Sequence, residues 1–75
     1  MGVKVRTGDI ARELGIMPSR VGFYTRFGLL KTKGETQGGQ NLFDLEETKQ
    51  RFKKIADLRK KRLTLNEIKK EFDKS

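Results

Sequence analysis

Lysine and arginine fill eight positions between residues 49 and 62, in the stretch KQRFKKIADLRKKR, and a single aspartate opposes them. This segment has a net charge of +7, whereas residues 1–48 sum to +1 and residues 63–75 to zero. A surface that serves only solubility mixes its signs more evenly. The concentration therefore favours a site for a polyanion, and nucleic acid is a commoner partner than an anionic membrane for a small basic domain.

The composition argues against an enzyme. The chain has 75 residues and contains neither cysteine nor histidine, which removes thiol nucleophiles, the usual general base and most transition-metal ligands. The adjacent carboxylates Glu46 and Glu47 are explained by a helix start, where negative charge is favourable. We expect one domain over residues 1–75, with no cofactor and no metal. No apolar run approaches the ~20 residues that a bilayer requires, so we expect a cytoplasmic protein.

A fold must position the basic segment, and the residue pattern in the N-terminal third of the chain predicts the first elements of that fold. Residues 3–6 suit a short leading strand. Thr7 then suits the N-cap of a helix that ends at Gly15, because threonine caps helices and glycine adopts the left-handed conformation at their ends. The core-facing positions of this helix are predicted to be Ile10, Ala11 and Leu14.

A second helix is predicted to begin at Pro18, since proline is favoured at the first helical position, and to end at Gly28. About three residues separate it from the first helix. Three apolar or aromatic residues can face that first helix: Val21, Tyr24 and Leu29. Two helices joined by so short a turn are typical of a helix-turn-helix.

The polar, glycine-containing region that follows predicts a β-hairpin. Residues 29–33 and 40–43 are short segments separated by Gly34, Gly38 and Gly39, which suit positions with positive φ. The glycines do not match a phosphate-binding loop, because no strand leads into the required motif. We interpret this hairpin as a wing that accompanies the helix-turn-helix. The alternative is an unstructured connector.

Two further helices complete the predicted architecture. Asp44 is expected to cap a long helix whose last turn contains the positive residues 59–62, where the helix dipole favours them. The apolar side of this helix is predicted to be Leu45, Phe52, Ile55, Ala56 and Leu58. Residues 64–67 form a capping box that starts a final helix with Leu65, Ile68 and Phe72 turned inward. The predicted fold is mainly α, a winged helix-turn-helix of four helices with a small β-hairpin wing.

Four stretches, in one order over residues 5–72, resemble the DNA-binding domain of the MerR family of bacterial transcriptional regulators. They are GDIARELGI, PSRVGFYTRFGLL, GQNLF and LTLNEI. The resemblance implies sequence-specific binding of double-stranded DNA, with the second helix in the major groove and with phosphate contacts from the wing and from the junction of the last two helices. It also implies a homodimer that distorts promoter DNA. Because family members continue into a dimerising helix and an effector-binding part, we expect these residues alone to be monomeric.

The resemblance also indicates which residues contact DNA. Tyr24 falls on the family's tyrosine near the DNA backbone, and Arg20, early on the second helix, can contact a base edge or a phosphate. The sequence departs from the family pattern at Gly22, which replaces an arginine, at Gln40-Asn41, which replace a Tyr-Arg pair, and at Arg62, which replaces a glycine. Nearby cations can supply the missing charge. The predicted DNA-binding residues are Ser19, Arg20, Tyr24, Arg26, Lys31, Lys33, Asn41, Lys60 and Arg62.

Other interpretations stay open on the sequence alone. Tyr24 also suits a half-buried core position, and each lysine suits a solvated surface. An excisionase-like or architectural factor can use a similar winged helix, and it would bind repeated attachment-site DNA rather than a promoter palindrome. A basic RNA-binding module is less favoured, because single-strand binding proteins usually display stacking aromatic residues on a sheet, whereas the five phenylalanines here lie mostly at core spacing.

Overall fold

The computed structural model describes residues 2–74. The elements follow in the order β1 (Lys4–Arg6), α1 (Thr7–Leu14), α2 (Pro18–Phe27), β2 (Leu42–Asp44), α3 (Leu45–Lys60) and α4 (Leu65–Asp73). Residues 15–17 connect α1 to α2, and the segment between α2 and β2 forms the wing. The prediction of a mainly helical, winged helix-turn-helix with four helices is therefore confirmed.

The sheet joins the start of the chain to its middle. Strands β1 and β2 are antiparallel, and Val5 is paired with Phe43 at the centre of the register. The sequence was expected to pair residues 40–43 with residues 29–33, and this part of the prediction is wrong for Leu29 and Leu30. Both side chains are fully buried, which does not fit the alternation of a strand. Their amides instead donate, at 2.9 and 3.3 Å, to the carbonyl oxygen of Tyr24 as the chain leaves α2.

The start of α1 also differs from the prediction. Thr7 is the first residue of the helix, and the N-cap is Arg6, whose side chain makes no capping hydrogen bond. The reason lies in the sheet, where Arg6 is paired with Leu42 and is therefore held in an extended conformation until the helix begins. The strand thus leads directly into the helix, and Thr7 cannot occupy the capping position.

The other predicted helix ends are confirmed, except that α3 ends at Lys60 with Lys61 as its C-cap, so Arg62 lies beyond the last turn in which it was predicted. Gly15 and Gly28 end α1 and α2 in the left-handed conformation, with φ of 71° and 95°. The carboxylate of Asp44 caps α3 by accepting a hydrogen bond of 2.8 Å from the amide of Glu47. Thr64 and Glu67 form both hydrogen bonds of the capping box at the start of α4.

A small core holds these elements together. Within the described part of the chain it consists of nine buried apolar or aromatic side chains: Ile10, Ala11, Val21, Tyr24, Leu29, Leu30, Phe43, Ile55 and Ile68. All four helices and β2 contribute, so that α1 and α2 are fixed against the long helix α3. The predicted inward residues of α4 are confirmed for Ile68, which is fully buried, and Leu65 and Phe72 are partly buried against the core. No helix within residues 2–74 is both long and apolar enough to cross a membrane.

Candidate nucleic-acid interface

Helix α2 turns one side to the core and the other to solvent. Val21 and Tyr24 are buried on the inner side. The outer side carries Ser19, Arg20, Phe23 and Arg26, which are all exposed and which we call the outer stripe. Arg20 and Arg26 make no ion pair or side-chain hydrogen bond with the residues that the structure describes. Their donors are therefore available to a partner.

Tyr24 belongs to the core. Its side chain is 3% exposed, and its ring packs edge-on against Phe52 with 6.2 Å between the ring centroids. Its hydroxyl oxygen accepts a hydrogen bond of 3.4 Å from Nη1 of Arg59, near the end of α3. The residue thus connects α2 to the basic segment through its hydroxyl group, and its place in the DNA-binding set stays a prediction.

The wing is ordered by its own backbone. The amide of Lys33 donates to the carbonyl oxygen of Leu42 at 2.7 Å, and the amide of Leu42 donates to Gly34 at 2.9 Å. At the tip, the amide of Gly39 donates to Thr36, and Gly39 has φ of 82°. A turn followed by a left-handed glycine is a common hairpin connection. These bonds are evidence of a hairpin between residues 33 and 42, rather than an unstructured connector.

The two lysines of the wing differ in their surroundings. Nζ of Lys33 lies 3.3 Å from a carboxylate oxygen of Glu47 in the first turn of α3. This ion pair neutralises part of the charge and holds the base of the wing against the helix. Lys31 is exposed and has no such partner among the described residues. Lys31 is therefore the freer of the two cations.

The basic segment, residues 49–62, has a first part along α3 and a second part at the turn between α3 and α4. In the first part, Lys49 pairs with Glu13 at 3.8 Å. Arg51 donates to the carbonyl oxygen of Leu29 at 2.8 Å, and its guanidinium lies 4.5 Å from the centroid of the Phe72 ring. These contacts lie within the fold, so Lys49 and Arg51 have structural roles that need no external partner.

The second part lies at the turn between α3 and α4. Lys60, Lys61 and Arg62 are exposed, and none of them forms an ion pair within residues 2–74. Arg62 has φ of 66°, the one positive value among the described residues other than glycine. This conformation is costly for a residue with a Cβ atom. We call residues 60–62 the cationic turn.

The capping box fixes the end of this turn. The amide of Thr64 donates to Oε1 of Glu67 at 2.8 Å, and the amide of Glu67 donates to the hydroxyl oxygen of Thr64 at 3.2 Å. The hydrogen bond from the Thr64 amide is the main cause that lowers the pKa of Glu67 below its ordinary value. The charged form of this carboxylate therefore stabilises the start of α4 beside the cationic turn.

Asn41 lies near the start of α1. It shares an open cleft of about 530 Å³ with Arg6, Arg12 and the tip of the wing. Asp9 also lines this cleft and offsets part of its positive charge. The cleft brings Arg6 and Arg12, which the predicted DNA-binding set does not include, close to Asn41, which belongs to that set.

The structure thus gathers eight of the nine predicted residues in three places, while Tyr24 lies in the core. Ser19, Arg20 and Arg26 share the outer stripe, Lys60 and Arg62 share the cationic turn, and the wing carries Lys31, Lys33 and Asn41. Sequence reasoning omitted Phe23, although its spacing from Ser19 and Arg26 places it on the same helical side. It also omitted Arg59, whose contact with Tyr24 has no local signal because 35 residues separate the two.

Comparisons with known proteins agree with this architecture. The sequence profile of a family described as "MerR HTH family regulatory protein" matches residues 5–75. A crystal structure of a transcriptional regulator of the MerR family from Bacillus cereus superposes with a TM-score of 0.78 and 18% sequence identity. That match covers 93% of this chain and 52% of the Bacillus cereus chain, so this chain spans about half the length of that regulator. No curated protein sequence matches the chain.

Proposed function

Because the chain belongs to the MerR HTH family of regulatory proteins, we propose that it binds double-stranded DNA sequence-specifically and regulates transcription. In this proposal residues 1–75 form one DNA-binding domain, and helix α2 lies in the major groove. The wing and the cationic turn contact phosphates on either side. The protein that contains this domain acts as a homodimer in the bacterial cytoplasm, on the nucleoid.

The observation that carries the proposal is the outer stripe of α2. Its inner side is held by the core, while Arg20 and Arg26 are exposed and have no ion-pair partner among the residues that the structure describes. Arginine has a planar fork of donors that matches the acceptors of guanine in the major groove, and it also binds phosphate. A rigid helix with free arginines on its exposed side is the arrangement that base recognition requires.

The cationic turn supports the phosphate contacts. Lys60, Lys61 and Arg62 add three positive charges at one exposed turn, whereas Lys49 and Arg51, earlier in the basic segment, make contacts within the fold. Binding to phosphates releases counterions, and affinity therefore falls steeply as salt rises. Since a dimer would double the contacts, we expect this chain alone to bind duplex DNA weakly.

Salt titration tests the phosphate contacts. We expect binding to a duplex of about 20 base pairs, long enough for two half-sites one helical turn apart, to be measurable by fluorescence anisotropy at low salt. Replacing Lys60 with glutamine should reduce the slope of log K against log salt by about 0.9, the value for one phosphate contact. Lys49→Gln is the matched control, because it removes the same charge from the opposite end of α3, where Lys49 faces Glu13.

Equal slopes for the two variants would contradict the placement of the cationic turn, because they would mean that net charge alone matters. Affinity that does not change between low and moderate salt would contradict duplex binding through phosphates altogether. All of these measurements use the 75-residue chain or its single-residue variants. Circular dichroism shows whether each variant has kept its helices.

Base recognition needs a separate test. Preferred duplexes can be selected from a randomised library and compared with unselected DNA. Arg20→Ala should reduce the preference for the selected sequence by about 1–3 kcal/mol if Arg20 contacts a base edge. Arg20→Lys keeps the charge but lacks the planar fork, so it should restore non-specific affinity without restoring the preference. An unchanged preference in both variants would remove Arg20 from the base-contacting set.

A further inference from the structure

Phe23 is an apolar residue in the middle of a cationic surface. It lies on the outer stripe of α2 with 42% of its surface exposed, and Ser19, Arg20 and Arg26 are its neighbours on that side. A phenylalanine that served only the core would be expected to turn inward, as its neighbour Tyr24 does. The exposed part of the ring therefore needs an explanation that the core does not supply.

The ring of Phe23 is held in a defined position. Its centroid lies 5.7 Å from that of Tyr24 and 5.9 Å from that of Phe27, both in tilted arrangements that aromatic pairs favour. The remaining surface of the ring faces a shallow cleft of about 300 Å³, which Ser19 and Arg20 also line. The side chain thus presents a fixed apolar surface next to a free guanidinium.

Charge decides which partner fits this surface. Two arginines flank the ring, so an apolar protein surface would have to desolvate them, whereas DNA would pair with them. Within the major groove the edges of the bases offer hydrogen-bonding groups, and the one apolar group is the C5-methyl of thymine. A phenyl ring has no hydrogen-bonding group for the other edges or for a phosphate.

We propose that Phe23 contacts the C5-methyl group of a thymine in the major groove and thereby helps to determine which sequences the protein prefers. This inference deepens the proposed function and rests on the placement of α2 in the groove. Arg20 and Phe23 then form a pair of contacts from one helical turn, one polar and one apolar, to neighbouring bases.

The experiment removes the methyl group from the DNA and leaves the protein intact. A duplex selected from a randomised library by the full 75-residue chain is resynthesised with each thymine replaced singly by deoxyuridine. Base pairing is unchanged, because uracil differs from thymine only in the missing methyl. We expect one replacement in a half-site to weaken binding roughly fourfold, which corresponds to ~0.8 kcal/mol for one buried carbon group.

Variants then assign that methyl to Phe23. In Phe23→Ala, binding to the thymine duplex should be weaker and the same replacement by deoxyuridine should have no further effect. Phe23→Leu keeps an apolar side chain and should keep part of the sensitivity. Met17→Ala is the matched control, since Met17 is 69% exposed just before α2 and lies off the outer stripe; its sensitivity to deoxyuridine should equal that of the wild type.

Two results would overturn the inference and leave duplex binding intact. One is wild-type affinity that is the same for every deoxyuridine duplex, and the other is equal sensitivity in the wild type and in Phe23→Ala. Selection that enriches no sequence, together with no salt-dependent binding to any duplex, would instead refute the proposed function and this inference with it. The wild-type measurement stands even if Phe23→Ala fails to fold.

Discussion

Gly22 offers a sharp test of how α2 is placed, because glycine in the middle of a helix is unfavourable. A Cβ atom added at this position would come no closer than 3.5 Å to its nearest neighbour, which is Nη1 of Arg26. This distance is an ordinary van der Waals contact, and the atom is the far end of a flexible side chain. The folded chain therefore has no steric need for glycine here, and we expect substitutions to be accommodated.

The expected gain follows from helix propensity. Gly22→Ala should stabilise the protein by about 1 kcal/mol, which corresponds to a rise in Tm of roughly 4–8 °C for a domain of this size. Gly22→Arg should gain less, because repulsion from Arg26 one turn away costs ~0.2–0.5 kcal/mol. It should also tighten binding to non-specific duplex DNA and steepen the salt slope by about 0.9, the value for one added phosphate contact.

Thermal and urea denaturation followed by circular dichroism measure the first effect, and fluorescence anisotropy over a range of salt measures the second. Gly22→Gln is the control, because it has the helix propensity of a long side chain without the charge. A loss of stability in Gly22→Ala would show that the helix backbone lies closer to a neighbour than the structure indicates. A folded Gly22→Arg protein that no longer binds DNA would mean that the helix backbone itself approaches the DNA, and the outer stripe would then need a different placement.

Three other changes have defined outcomes. Arg62→Gly should raise stability by about 1 kcal/mol in urea denaturation by relieving the left-handed conformation, while it reduces the salt slope of DNA binding by about one unit; a loss of stability would refute the strain. Tyr24→Phe should lower the free energy of unfolding by at most about 0.5–1.5 kcal/mol, because the hydrogen bond between its hydroxyl and Arg59 is long, at 3.4 Å. An unchanged salt slope in this variant would exclude a role for the tyrosine in orienting Arg59 toward phosphate. The lowered pKa of Glu67 means that its stabilising charge is fully present above the ordinary pKa and is lost as the pH falls through the lowered one. The stability difference between the wild type and Glu67→Gln should therefore be present near neutral pH and shrink in acid, and a difference independent of pH would contradict this assignment.

The sequence alone determined the features that depend on neighbouring residues. Gly15, Gly28, Asp44 and the Thr64 capping box mark helix ends because the groups that satisfy those ends lie within a few residues along the chain. Pro18 marks a helix start because its fixed φ suits the first helical position, where the missing N–H would have no partner within the helix. The resemblance to the MerR family also rested on short stretches in a fixed order, and the family profile over residues 5–75 agrees with it.

Only the tertiary structure decided the partners of groups that lie far apart in sequence. β2 pairs with β1 and not with Leu29 and Leu30, because these two side chains are needed in the core. The same packing brings Tyr24 to Arg59 and Arg51 to the Leu29 carbonyl. These two arginines of the basic segment are thus engaged within the fold, whereas the cationic turn forms no ion pair with any residue from 2 to 74. Local propensity and net charge carry no information about such pairs, since the contact between two distant residues exists only once the whole core has assembled.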